Sequence, residues 1–161
     1  MPTELLRFIQ LEEVIKMILR FSLSESKDNE ISGYDLGHME IGNDTVLITS
    51  ANRKPNQAMM IFVSIVSLLD GIRKFTKKKT KSFKFVAADS SFTINFLKSK
   101  KSNICISIGN EFEEIIPEGD LIKCIYDACS QFYSIWGKQL PDSDPVKEDM
   151  EMALSDFNDI L

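Results

Sequence analysis

Apolar residues recur at every second position in the middle of the chain and at every third or fourth position on either side of it. Phe92, Ile94 and Phe96 alternate with Thr93 and Asn95, and Ile104, Ile106 and Ile108 alternate with Cys105 and Ser107. A period of two sets each trio on one face of a sheet. Phe83 to Ile116 therefore reads as three consecutive antiparallel strands. The polar run Lys98 to Asn103 supplies one connection, and Gly109-Asn110 supplies a two-residue, glycine-first hairpin turn. Asp89-Ser90-Ser91, ahead of Phe92, suits a bend because Asp and Ser side chains bond to nearby backbone.

Upstream, Leu5 to Leu23 fits two patterns. Leu11, Val14, Ile15 and Ile18 share a helical face, whereas Ile15, Met17, Leu19, Phe21 and Leu23 suit a strand backed by Lys16, Arg20, Ser22 and Ser24. The unbroken alternation favours a strand from about Val14 to Leu23. Ser24 to Gly37 is polar and reads as a loop. A hairpin follows, His38 to Ile41 and Thr45 to Thr49 around Gly42-Asn43-Asp44, with Val46 and Ile48 inward. After a second polar loop, Asn56 is placed to cap a helix from Gln57 to Phe75, whose stripe is Met59, Phe62, Ile65, Val66, Leu69, Ile72 and Phe75.

Downstream of the meander, Asp120 can cap a helix from Leu121 to about Trp136, with Gly137 as its stop. Asp144, with Pro145 behind it and Glu148 and Asp149 in the first turn, opens a last helix lined by Met150, Ala153, Leu154, Phe157, Ile160 and Leu161. Strands on either side of one long helix predict an α+β fold over residues 1–161 as a single domain. Its expected form is one antiparallel sheet of about five to six strands with helices packed on one face.

Composition narrows the functional classes. Hydrophobic content of 43% and charged content of 27% are ordinary for a globular domain. The longest apolar run, Ala58 to Leu69, is too short to cross a bilayer, and the start Met1-Pro2-Thr3-Glu4 has no secretory leader pattern. A cytoplasmic protein without membrane association is expected. Cys105, Cys124 and Cys129 lack metal-ligand spacing and there is one histidine, so reduced thiols, no metal and no cofactor are expected.

Charge is unevenly spread. Residues 1–110 carry 16 basic and 11 acidic side chains, whereas residues 111–161 carry 3 and 13. Such asymmetry can steer a charged partner. The basic run Lys77-Lys78-Lys79-Thr80-Lys81 lacks the stacking aromatics and arginines of nucleic-acid readers and reads as a solvated helix end, so no nucleic-acid partner is expected. Glycine-rich phosphate loops and Ca²⁺-binding loops are absent from the sequence. His38, the sole histidine, is the general base to consider for a small enzyme, and Ser90 and Ser91 follow Asp89 without a nucleophile elbow. No motif fixes a reaction, and a non-enzymatic protein is expected.

The D-S-S-F-x-I-x-F strand (Asp89 to Phe96), a short hairpin, an amphipathic helix and a closing helix after P-D-S-D-P (Pro141 to Pro145) resemble the small immunity proteins of bacterial toxin-delivery systems. The resemblance covers the chain from Phe83 onward and implies a binding protein that neutralises a cognate toxin domain. Toxin nucleases are commonly basic, so an acidic surface would speed encounter and cover the substrate site. Glu111, Glu113, Glu114, Glu118, Glu148, Asp149 and Glu151 are the expected partner-binding residues. The alternative is an acidic secretion chaperone that holds an effector segment, and the third class is a small enzyme built on His38.

Overall fold

The computed structural model describes residues 16–24, 30–78 and 80–161. Among these residues the α+β class is as expected, but the strands form two four-stranded antiparallel sheets, not one. The first sheet joins β1 (Ile18–Leu23), β2 (Leu36–Gly42), β3 (Leu47–Thr49) and β4 (Met59–Met60). The second is a meander of β5 (Ser82–Val86), β6 (Thr93–Lys98), β7 (Asn103–Ile108) and β8 (Phe112–Pro117). Three helices complete the fold: α1 (Ile61–Lys77), α2 (Glu118–Ile135) and α3 (Pro145–Phe157).

The division has a local cause. β2 is paired along its length with β1, and β3 (at Glu40, Ile41 and Gly42) and β4 (at Leu36 and Gly37) also pair with it. Met59 and Met60, expected inside the first helix, are thereby drawn into the sheet. The helix starts at Ile61 instead, and no side chain caps it. Tertiary carbonyls satisfy its first amides: Ile61 N–H donates to Asp35 O at 3.2 Å and Met60 N–H to Ala88 O at 3.0 Å. Asn56 bonds the Ala58 amide and closes a turn instead of capping a helix.

α1 is the centre of the molecule. Ile61, Phe62, Ile65, Leu68, Leu69 and Ile72 are essentially inaccessible, and the helix touches both sheets and both other helices. Phe62 packs on Phe132 of α2 with ring centroids 5.3 Å apart, and Phe132 meets Phe21 of β1 edge-on at 6.0 Å. On the meander, Phe85, Ile94, Phe96, Ile104, Ile106, Ile108 and Ile116 point inward, as their period predicts. Thr93, Asn95, Cys105, Ser107 and Glu113 lie on the opposite face, as expected.

Several boundaries move. The strand expected from Val14 starts at Ile18, and Val14 and Ile15 lie outside the described residues. Val46, expected inward, is exposed in the turn before β3, where its carbonyl accepts from Asn43 N–H at 2.8 Å. Phe83 to Ile116 holds four strands, not three, and the last hairpin has a three-residue connection, Gly109 to Glu111, with Gly109 at φ +49°. α2 starts at Glu118, so Asp120 sits in its first turn instead of capping it. Asp144 does cap α3, accepting from Val146 N–H at 3.0 Å and, through its other oxygen, from Gly33 N–H at 2.8 Å. Leu161, expected in the apolar stripe, is exposed beyond that helix.

Gly37 is required by close approach. A methyl there would run into the Ser22 carbonyl oxygen of β1 and lie 2.8 Å from Ile61 Cβ on α1. Gly37→Ala should therefore cost about 1–3 kcal/mol, by overpacking, measured by urea unfolding. A neutral effect would mean that β1 and α1 can separate freely.

Candidate functional site

The seven carboxylates expected to bind a partner fall into two groups. Glu111 ends the connection into β8, Glu113 and Glu114 lie in β8 and Glu118 starts α2, whereas Glu148, Asp149 and Glu151 lie on α3. α2 bridges them: its residue Tyr133 donates its hydroxyl to Glu151, and Tyr133 lies fifteen positions along the helix from Glu118, about 22 Å. The seven therefore do not form one patch.

The β8 group is partly committed to holding the sheets together. Arg53 Nη1 pairs with Glu111 at 2.8 Å, and Asn43 donates to Glu114 at 2.8 Å, so the loop after β3 is tied to the connection before β8 and the turn before β3 to β8 itself. Glu113 stands on the open face of the meander, beside the Cys105 thiol at 3.5 Å. Burial and this carboxylate raise the thiol's pKa.

The α3 group is freer. Asp144 and Pro145 start the helix, Val146, Met150, Ala153 and Phe157 seat it on the core, and the other faces are left to solvent. Glu148, Asp149, Glu151 and Asp156 are exposed there, and Met152 among them is 56% exposed. Among the described residues, ion pairs take Glu40, Glu111, Asp142 and Asp159 but none of these four. Burial and the bond to Glu151 push the Tyr133 hydroxyl up to about 12, so it stays a donor to that carboxylate. Asp156 and Met152 were not among the expected site residues. The sequence signal for them was their spacing from Glu148, eight and four residues, which places all three on neighbouring turns.

Asp70 on α1 adjoins this acidic face. Its pKa is raised, mainly by desolvation, with Asp156 and Asp149 adding repulsion and Lys74 opposing it. A carboxyl that binds its proton more tightly folded than unfolded loses stability as pH rises through the folded pKa. Asp70→Asn should therefore raise the melting temperature at pH 7, and the gain should shrink below pH 4. An unchanged melting temperature at both pH values would contradict this.

The remaining candidates have structural partners. His38 Nδ1 is 3.0 Å from Ser50 Oγ, but Ser50 is fully buried and its oxygen also accepts from Met39 N–H. The pair fastens the end of β3 to β2, and an attacking serine would need exposure. Ser90 donates to Gln57 O and accepts from Phe92 N–H, which fixes the bend where Asp89 has φ +54°. Lys77 pairs with Asp159 at 3.1 Å. All three cysteines are free thiols. Burial pushes Cys124 up to about 11 and Cys129 higher, against thiolate chemistry at neutral pH.

A cleft of about 200 Å³ opens between β1 and α2, lined chiefly by Leu19, Phe21, Phe132, Ile135 and Trp136, with Arg20 as its one charged residue. Among the described residues no carboxylate, histidine or thiol lines it. Among the described residues no group of three or more potential metal ligands occurs, and no helix is long and apolar enough to cross a membrane. Comparison with protein-family models, curated proteins and solved structures finds no match to this chain.

Proposed function

We propose that this chain is a non-enzymatic binding protein of the immunity type, which neutralises a cognate toxin domain through the acidic face of α3. The observation that carries this reading is the arrangement of Glu148, Asp149, Glu151 and Asp156 around Met152, exposed and without ion pairs among the described residues. An apolar anchor inside a charged rim is how interfaces divide labour: the anchor supplies binding energy, and the rim supplies encounter rate and selection of sign. A basic partner, such as a nuclease domain, has the complementary surface. No cofactor is needed for inhibition by coverage. Glu111, Glu113, Glu114 and Glu118 form an outlying second group in this reading.

The runner-up is an acidic secretion chaperone, and the apolar cleft beside β1, an edge strand among the described residues, is the observation that favours it. An unpaired strand edge next to an apolar groove can receive an extended segment. Partner capture from the source cell, followed by an assay of the partner's own activity with and without this chain, separates the two. A folded partner that loses activity at a stoichiometric ratio supports inhibition. A partner that stays active, or is held only as an unfolded segment, overturns it.

A further inference from the structure

Among the described residues the meander has one face on the core and one face open, and the open face is not uniformly polar. Strand register sets its rows. Ser82 pairs with Leu97, Leu97 with Cys105, and Cys105 with Ile115, so Leu97, Cys105 and Ile115 make a continuous apolar row across β6, β7 and β8. Leu97 is 51% and Ile115 54% exposed. The adjacent row runs Lys84, Asn95, Ser107, Glu113. It is basic at the β5 edge and acidic at the β8 edge, and among the described residues neither Lys84 nor Glu113 has an ion pair.

We propose that this face binds a second copy of the chain, forming a two-fold dimer in which the two meanders pack face to face. A row with opposite charges at its two ends is self-complementary under one particular operation. A two-fold axis parallel to the strands, running between β6 and β7, lays β5 over the partner's β8. Lys84 then meets the partner's Glu113, and Glu113 meets the partner's Lys84. In the next row Leu97 covers the partner's Cys105, and Ser82 covers the partner's Ile115. The interface is isologous, so every contact is made twice. Two sheets about 10 Å apart with nearly aligned strands are an ordinary sandwich packing.

Size sets the strength. Four strands about 4.8 Å apart and about six residues long present a face of roughly 19 by 20 Å, about 760 Å² for the two copies together, which is below the standard range and in that of weak, transient contacts. A weak dimer in exchange with monomer, populated as concentration rises, is expected. The surface shares Glu113 with the outlying second group but is separate from the α3 face that carries the inhibitor reading, so this dimer stands whether or not that reading does.

Sedimentation equilibrium at low salt tests it, with Lys84→Glu and Glu113→Lys each made in the full chain. Both residues are exposed, and far-ultraviolet circular dichroism checks that both variants fold. The wild type should show a concentration-dependent dimer. Each single variant places like charges opposite each other twice and should dimerise about 30-fold more weakly. An equimolar mixture of the two variants should dimerise again, because in the mixed pair position 84 of each copy once more faces the opposite charge at position 113 of the other. A wild type monomeric at every concentration, single variants that dimerise as the wild type does, or a mixture that stays monomeric would each overturn the proposal.

Discussion

Phe62→Ala should cost about 3–5 kcal/mol of unfolding free energy, the range for deleting a buried aromatic ring. Phe62 is fully inaccessible, and its ring touches Phe132, which in turn meets Phe21. The cavity would open where α1, α2 and β1 converge, and three separate backbones would have to move together to close it. A domain of this size has roughly 5–15 kcal/mol in all, so the variant should melt about 6–20 °C lower. Urea unfolding with an unchanged m-value is the measurement. A loss below about 1 kcal/mol would show that the α1 contacts relax around the hole, and that the centre of the fold lies elsewhere.

The second large effect belongs to the acidic face. Reversing Glu148, Asp149, Glu151 and Asp156 to Lys together should weaken binding of the cognate partner by roughly a thousandfold at low salt. Four exposed pairs at about 0.5 kcal/mol each are lost and then replaced by repulsion of similar size, about 4 kcal/mol in total. Folding should survive, because all four side chains are exposed and the buried seat of α3 is Val146, Met150, Ala153 and Phe157. Among the described residues, the one hydrogen bond made by these four side chains is that of Glu151 with Tyr133, and Arg73 reaches only the backbone carbonyl of Asp156. Surface plasmon resonance against the isolated partner gives the result, and most of the change should appear as slower association.

The local pattern was readable wherever one face is buried and one is wet. Phe92, Ile94 and Phe96, and Ile104, Ile106 and Ile108, all point inward, because alternation is a property of the strand itself. Asp144 with Pro145 marked the α3 start for the same local reason. Pairing between distant strands has no such local signature. Met59 and Met60 continue the apolar stripe of α1 and look helical, and only the presence of Leu36 and Gly37 beside them makes them a strand. That one pairing helped to turn an expected single sheet into two.

The candidate surfaces were legible only in part. A run of acids announces a charged surface but not its layout. Glu111 and Glu114 are engaged by Arg53 and Asn43, residues 58 and 71 positions away, which spacing alone does not show. Leu97 and Ile115 each adjoin an inward apolar residue, Phe96 and Ile116 respectively. Adjacent apolar residues blur the alternation, and the open apolar row becomes visible only once register aligns Leu97, Cys105 and Ile115.

The most direct test of the inhibitor reading is the affinity of the wild-type chain for its isolated partner between about 50 and 500 mM salt. Exposed charge pairs are screened over this range, with a Debye length that shrinks from about 14 to 4 Å. Affinity for a basic partner held at the α3 face should fall at least tenfold across the range, and the four-site reversal should bind weakly throughout without that fall. Wild-type affinity that stays constant with salt, or a reversal variant that binds as tightly as the wild type at low salt, would contradict recognition through the acidic face of α3.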